Sequence, residues 1–160
     1  VKELPETQKQ ILKASALLHD IGYFKTGGKE HNKYSFQIIS EEGLSDFDDK
    51  DTELIAFICL YHRGKLPDKH EDKAFGILDK KKRKIVKRLC GILKIADGFS
   101  GDDILKIDGV EINYSKDENI VEMDLKLKDK TDSLDIFKAV KKKELFEIGF
   151  KTQVILKISK

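Results

Sequence analysis

Near residue 100 the spacing of apolar residues changes from a helical period to a strand period. Upstream, Ile11, Ala14, Ser15 and Leu18 recur at i, i+3, i+4 and i+7, with Leu12 and Ala16 widening the stripe. That spacing predicts a helix from about Glu6 to His19, with Pro5 suited to its first turn. Tyr23 to Lys29, containing Gly27-Gly28, reads as a loop. A second helix is expected from Asn32 or Lys33 to Glu42, closed by Gly43. A third is expected from Thr52 to His62, capped by Asp51, with Leu54, Ile55, Phe57, Ile58 and Tyr61 facing inward. Gly64 and Pro67 break the chain before a short helix near Asp72 to Leu78. The longest helix is expected from about Lys81 to Ala96 or Asp97, with Ile85, Leu89, Ile92, Leu93 and Ala96 on its buried side.

Downstream, Ile107 to Tyr114 and Asn119 to Leu127 have strand-like composition, joined by a hairpin connection at Ser115 to Glu118. Val121, Met123, Leu125 and Leu127 alternate with charged residues, as a half-buried strand requires. Ser133 is placed to start a helix reaching about Phe146 and ended by Gly149; Val154, Leu156 and Ile158 form a last alternating strand. The expected fold is a mostly α helical domain, residues 1–100, followed by a small α+β lobe of order β-β-α-β, residues 101–160. The hinge between them is expected at Ser100 to Lys106.

The 39% apolar and 38% charged content suits a folded soluble domain rather than a disordered chain. No apolar run reaches transmembrane length, and the charges between Val1 and His19 argue against a signal peptide, so a cytoplasmic address is expected. Val1 is not an initiator methionine, so the chain is expected to be trimmed or to belong to a longer polypeptide. Cys59 and Cys90 lie in apolar helical patterns and read as buried thiols. Net charge is only +2; residues 1–100 carry 19 basic and 16 acidic groups, and residues 101–160 carry 12 and 13. Such a balance makes no case for nucleic-acid binding. The basic block Lys80-Lys81-Lys82-Arg83-Lys84, continued by Lys87 and Arg88, reads either as the solvated face of a long helix or as an anionic-ligand patch.

The run Ala16-Leu17-Leu18-His19-Asp20-Ile21-Gly22 sets His19 beside Asp20 where an apolar helix stops. Asp97 sits similarly, after Ile92-Leu93-Lys94-Ile95-Ala96 and before Gly98. A neutral imidazole and two carboxylates are donors for a hard or borderline divalent cation. Adjacent helical side chains diverge by about 100°, yet both reach one ion placed against the helix end. The alternative is local: Asp20 caps a loop amide and His19 lies in the core. His31, His62-Arg63 and nearby lysines add candidate metal or phosphate contacts, whereas His70 falls in a polar loop. Ser15 and Ser35 lack a nucleophile-elbow setting, and Gly27-Gly28 lacks the spacing of a phosphate-binding loop.

Ala16 to Phe24, Tyr61-His62-Arg63 and Ile95-Ala96-Asp97-Gly98, in this order and spacing, resemble the HD superfamily. More narrowly they resemble the carboxy-terminal half of the exopolyphosphatase/guanosine pentaphosphate phosphohydrolase family, over nearly the whole chain. The resemblance implies an HD-type helical domain with His19, Asp20 and Asp97 as metal ligands. The superfamily's first histidine belongs to a helix farther upstream, and no histidine precedes His19. Tyr34 stands where family members carry a further histidine before the serine of the His31-to-Ser35 segment. The implied cofactor is a divalent metal, manganese or magnesium. Asp20 is the implied catalytic residue, orienting an attacking water. His31, His62, Arg63, Lys25, Lys29, Lys33 and Lys65 are the implied substrate contacts, with Arg63 suited to bidentate phosphate recognition.

Two functions follow from the resemblance. One is a metal-dependent phosphohydrolase acting on a phosphoanhydride or phosphoester, such as polyphosphate or a phosphorylated guanosine nucleotide. The other is a non-catalytic polyphosphate-binding, regulatory or dimerisation domain, since the family's usual exopolyphosphatase chemistry is assigned to amino-terminal actin-like ATPase domains. The implied partners are a phosphate-rich small molecule or polyphosphate, a second copy of the chain, or those ATPase domains, with no membrane.

Overall fold

The computed structural model describes residues 3–99, 101–129 and 133–159; Val1 and Ser100, at the expected hinge, lie outside them. The protein is mostly helical, with a small three-stranded sheet at the C-terminal end. Helix α1 (Glu6–Leu18) buries Ile11 and Ser15. Tyr23 to Lys29 is not simply loop: a short helix α2 (Tyr23–Thr26) forms there. Gly27 ends it at φ 61°, sending its N–H to Tyr23 O.

Helix α3 (His31–Glu42) begins one or two residues earlier than its periodicity indicates, because Glu30 turns the chain at φ 57° ahead of it. Helix α4 (Asp49–Tyr61) is capped by Asp48, not Asp51. Asp51 instead supplies the backbone N–H that the Asp48 carboxylate accepts, at 2.8 Å. Thr52, Ala56 and Cys59 join the expected inward residues in the core, making α4 buried on nearly all sides, as a central helix is. Helix α5 (Lys73–Ile77) is capped by Asp72 and α6 (Lys80–Ala96) by Asp79.

Helix α6 organises the molecule. Val86, Leu89, Cys90 and Leu93 enter the core shared with α1, α3 and α4, whereas Ile95 enters a second cluster with Val121, Met123, Ala139, Phe146 and Val154. Ile92 packs against both. Ala96, expected on the buried side, is exposed, because the helix is covered from two directions and its stripe shifts toward Ile95. The two cysteines are buried free thiols, and burial raises both pKa values, Cys90 to about 12.

After a 3₁₀ turn (Gly101–Lys106), strands β1 (Ile107–Ser115) and β2 (Ile120–Leu127) pair antiparallel, and β3 (Gln153–Ser159) adds parallel to β2. The crossover is not one helix from Ser133. It is α7 (Phe137–Lys142) and α8 (Glu144–Phe150), interrupted at Lys143. Gly149 does not end it; Lys151, at φ 56°, does. Gly149 is helical and buried, and a Cβ there would meet the Arg88 backbone at 3.0 Å. Gly91 has the same role from the other side: its Cβ would lie 2.6 Å from Phe146 Cα.

Cross-strand register puts Val110, Ile112 and Tyr114 of β1 opposite Leu125, Met123 and Val121 of β2, on the same sheet face. The helices cover that face at β2 and leave it open at β1, where Ile112 is 62% exposed.

Candidate metal centre

Four helix ends meet at one point. His19, His62 and Asp97 are the C-cap residues of α1, α4 and α6, and His31 opens α3. The C-terminal end of a helix carries about half a negative charge, so three of them together favour a cation. Asp20 follows His19 into the turn after α1, whose Gly22 is packed directly on α3. A Cβ at Gly22 would fall 2.0 Å from His31 O and 2.6 Å from Ser35 N. Only glycine fits. Ser35 joins the two segments: its hydroxyl accepts the Gly22 N–H at 2.9 Å and donates to His19 O at 2.7 Å.

All three imidazoles are held alike. Nδ1 of His19 lies 2.8 Å from Ala16 O, that of His31 3.0 Å from Gly28 O, and that of His62 2.6 Å from Cys59 O. A carbonyl only accepts, so each Nδ1 carries a proton, and in a neutral ring so anchored Nε2 is the atom left to bind a metal. Backbone anchoring of the far nitrogen is the usual support for a metal-ligating histidine. Tyr23 stacks on the His31 ring, centroids 4.1 Å apart, and fixes it further.

The Nε2 atoms converge on carboxylates. Asp20 Oδ1 is 3.1 Å from His31 Nε2 and 3.5 Å from His62 Nε2, while Asp20 Oδ2 is 3.4 Å from His19 Nε2. Asp97 Oδ1 is 3.9 Å from His19 Nε2. The Nε2 atoms of His31 and His62 face each other at 3.1 Å. Both rings are essentially buried, and burial pushes the His62 imidazole down to about 4, which keeps it neutral. Two facing lone pairs repel unless a proton or a metal lies between them. Neighbouring donors on one ion at roughly 2.1 Å stand about 3.0–3.5 Å apart, the range seen here for four of these five pairs. Ligand atoms of His19, Asp20 and His62 all lie within 4.8 Å of one another. The residues therefore fit a divalent cation.

The Asp20 carboxylate accepts no backbone N–H among the described residues, contrary to what a side-chain cap requires; only its main-chain carbonyl does, from Tyr23 at 2.9 Å. Arg63 and Lys65 lie beyond His62, both exposed. Lys25, Lys29 and Lys33 are exposed on and after α2, where Lys33 pairs with Glu30. His70 is exposed, its backbone N–H held by Asp68. Lys142 of α7 is absent from the residues singled out by sequence, yet its Nζ reaches Asp97 Oδ2 at 2.5 Å and Asp97 O at 3.1 Å. Nothing in the local pattern around Lys142 separates it from its neighbours Lys141 and Lys143. Lys94 did carry a signal, as a charged residue inside an apolar run one turn before Asp97.

A helical domain with an interhelical histidine–aspartate centre, extended by a small mixed lobe, is the class that fold and site define. The family model for Ppx/GppA phosphatase, domain III, matches residues 1–147, and the chain belongs to that family. No curated protein matches it. Among the described residues no helix is long and apolar enough to cross a membrane.

Proposed function

We propose that this domain is an HD-type, divalent-metal-dependent phosphohydrolase that cleaves a phosphoanhydride or phosphoester, within an exopolyphosphatase-like protein. The observation that carries the reading is the pair of buried Nε2 atoms, on His31 and His62, facing each other 3.1 Å apart beside the Asp20 carboxylate. His31 and His62 act as ligands with His19, Asp20 and Asp97, in place of the histidine that the superfamily draws from farther upstream. Three imidazoles with two carboxylates favour manganese over magnesium, which prefers an all-oxygen shell. A divalent cation supplies Lewis-acid chemistry here, acidifying water and offsetting charge on the phosphoryl group.

The chain's own groups do the rest. Asp20 is the most accessible ligand, 48% exposed, and is placed to accept a proton from an incoming water and orient it. The three backbone-anchored rings keep their Nε2 atoms inward, and Lys142 pairs with the Asp97 carboxylate. Arg63, next to His62, offers the planar fork that phosphate recognition uses. Polyphosphate or a phosphorylated guanosine nucleotide is the substrate class this reading names.

The non-catalytic alternative is favoured by a separate observation. The open face of β1 joins Leu4, Ile92 and Ala96 in an apolar groove of about 540 Å³, suited to a protein contact. Phosphate release in the presence of manganese decides between the two. The hydrolase reading expects metal-dependent turnover that Asp20→Ala abolishes. Anion binding by wild type and variant alike, without turnover, would leave the regulatory or dimerisation role in its place.

A further inference from the structure

Beside the metal centre, the loop after α4 faces α6 and α7 across a pocket of about 300 Å³ lined by Arg63, Lys65, Lys94, Lys141, Lys142 and Glu144. Its volume is at the lower end for small-molecule sites. Five cations stand against one carboxylate. Gly64, at φ 78°, turns the loop so that Arg63 and Lys65 flank it. Among the described residues neither Arg63 nor Lys65 makes an ion pair or hydrogen bond, and Lys141 rests only on the Phe137 ring at 4.2 Å. Lys142 alone has a carboxylate partner, Asp97.

Lys94 is the most telling of the five. It is 5% exposed, and its ammonium meets only two neutral carbonyls, Tyr61 O at 3.2 Å and Gly64 O at 3.3 Å. Capping the last turn of α4 explains one of those bonds. It does not explain why a buried charge there forms no ion pair, Asp97 and Glu144 acting on it only from farther off, nor why four more cations gather around it. Like charges held together cost free energy, and burial adds to the cost. Burial also lowers the Lys94 pKa from its ordinary range; the Lys142 charge acts in the same direction, and Cys90, Asp97 and Glu144 offset it only in part. A bound anion removes both penalties.

We propose that this pocket binds one tetrahedral oxyanion, either free phosphate or the terminal phosphoryl group of a larger molecule, and that its occupancy is coupled to the metal centre through Lys142. Lys142 bridges the two sites: an anion in the pocket draws the ammonium off Asp97 and leaves that carboxylate free for the cation. Coupling of this kind is reciprocal, so metal tightens anion binding by the same factor as anion tightens metal binding. The coupling rests on the metal-centre reading above; the pocket itself does not.

Equilibrium dialysis of radiolabelled orthophosphate against the metal-free 160-residue chain tests the pocket. One saturable site is expected, weakened tenfold or more by Arg63→Ala/Lys65→Ala, an exposed pair whose removal leaves the thermal midpoint unchanged. Lys80→Ala/Lys81→Ala/Lys84→Ala, in the separate basic block, should leave binding unchanged. Displacement by phenyl phosphate as well as by orthophosphate indicates an esterified phosphoryl ligand; displacement by orthophosphate alone indicates the free ion. Absence of a saturable site, or equal weakening by the control triple variant, overturns the proposal.

Manganese titration followed by electron paramagnetic resonance tests the coupling, with sulfate compared against chloride at matched ionic strength. Sulfate should tighten manganese binding severalfold in the wild type. In Lys142→Met manganese should bind more tightly at the outset and not respond to sulfate; an unchanged response there overturns the coupling. Asp20→Ala separates the two readings: it should abolish manganese binding while phosphate dialysis stays within twofold of wild type. Loss of manganese binding by the wild type itself would sink the metal centre and the coupling, with the pocket still judged by dialysis.

Discussion

The histidine–aspartate centre and the C-terminal lobe are held together in different ways. At the centre, polar groups are over-determined: three Nδ1 atoms on three carbonyls, one serine hydroxyl joining two segments, and a glycine with no room for a methyl group. In the lobe, apolar packing of α7 and α8 on α6 dominates, and β1 is left half uncovered. What the two share is backbone approach through glycine. Gly22 admits α3, Gly91 admits α8, and Gly98 admits α7, with a Cβ at Gly98 falling 2.4 Å from Ala139 Cα. The lesson is that the lobe positions part of the site. Its docking delivers Lys142 to Asp97, across 45 residues of sequence.

The largest effect should come from Gly22→Ala. Its methyl group cannot coexist with His31 O, so α1 and α3 must part, at a cost of about 3 kcal/mol or more in urea denaturation, with loss of metal binding. Gly91→Ala should cost about 2 kcal/mol by overpacking against Phe146. Because that change loosens the lobe, it should weaken the Lys142–Asp97 contact while leaving the histidine cluster in place, which NMR of the imidazoles would register. Ser35→Ala should cost about 1–3 kcal/mol, the range for leaving the buried Gly22 N–H without an acceptor. Smallest of all, Ile112→Thr should change stability by less than about 0.5 kcal/mol, since β1 presents that side chain to solvent. A loss of several times that amount would mean the β1 face is covered in solution, by a partner or a second copy.

Sequence made α1, α6 and β2 legible because their periodicity is local, and Val121, Met123 and Leu125 do face inward. It misjudged details that depend on packing. Asp48 and Asp51 are equally able caps by composition, and only the path of the chain into α4 selects Asp48. The break at Lys143 and the continuation through Gly149 follow from how α8 lies on α6, a tertiary fact. At the site, His19, Asp20 and Asp97 drew attention because each stands where an apolar helix stops. The approach of His31 Nε2 to His62 Nε2 joins positions 31 residues apart, and Lys94 meets Tyr61 O across 33. No local pattern carries such distances.

The most direct test of the metal centre is anomalous diffraction from a manganese-soaked crystal. A single peak is expected within about 2.2 Å of the Nε2 atoms of His31 and His62 and of an Asp20 oxygen, with His19 and Asp97 completing the shell. No peak at that position, with the two facing nitrogens joined instead by a proton or a water, would contradict it.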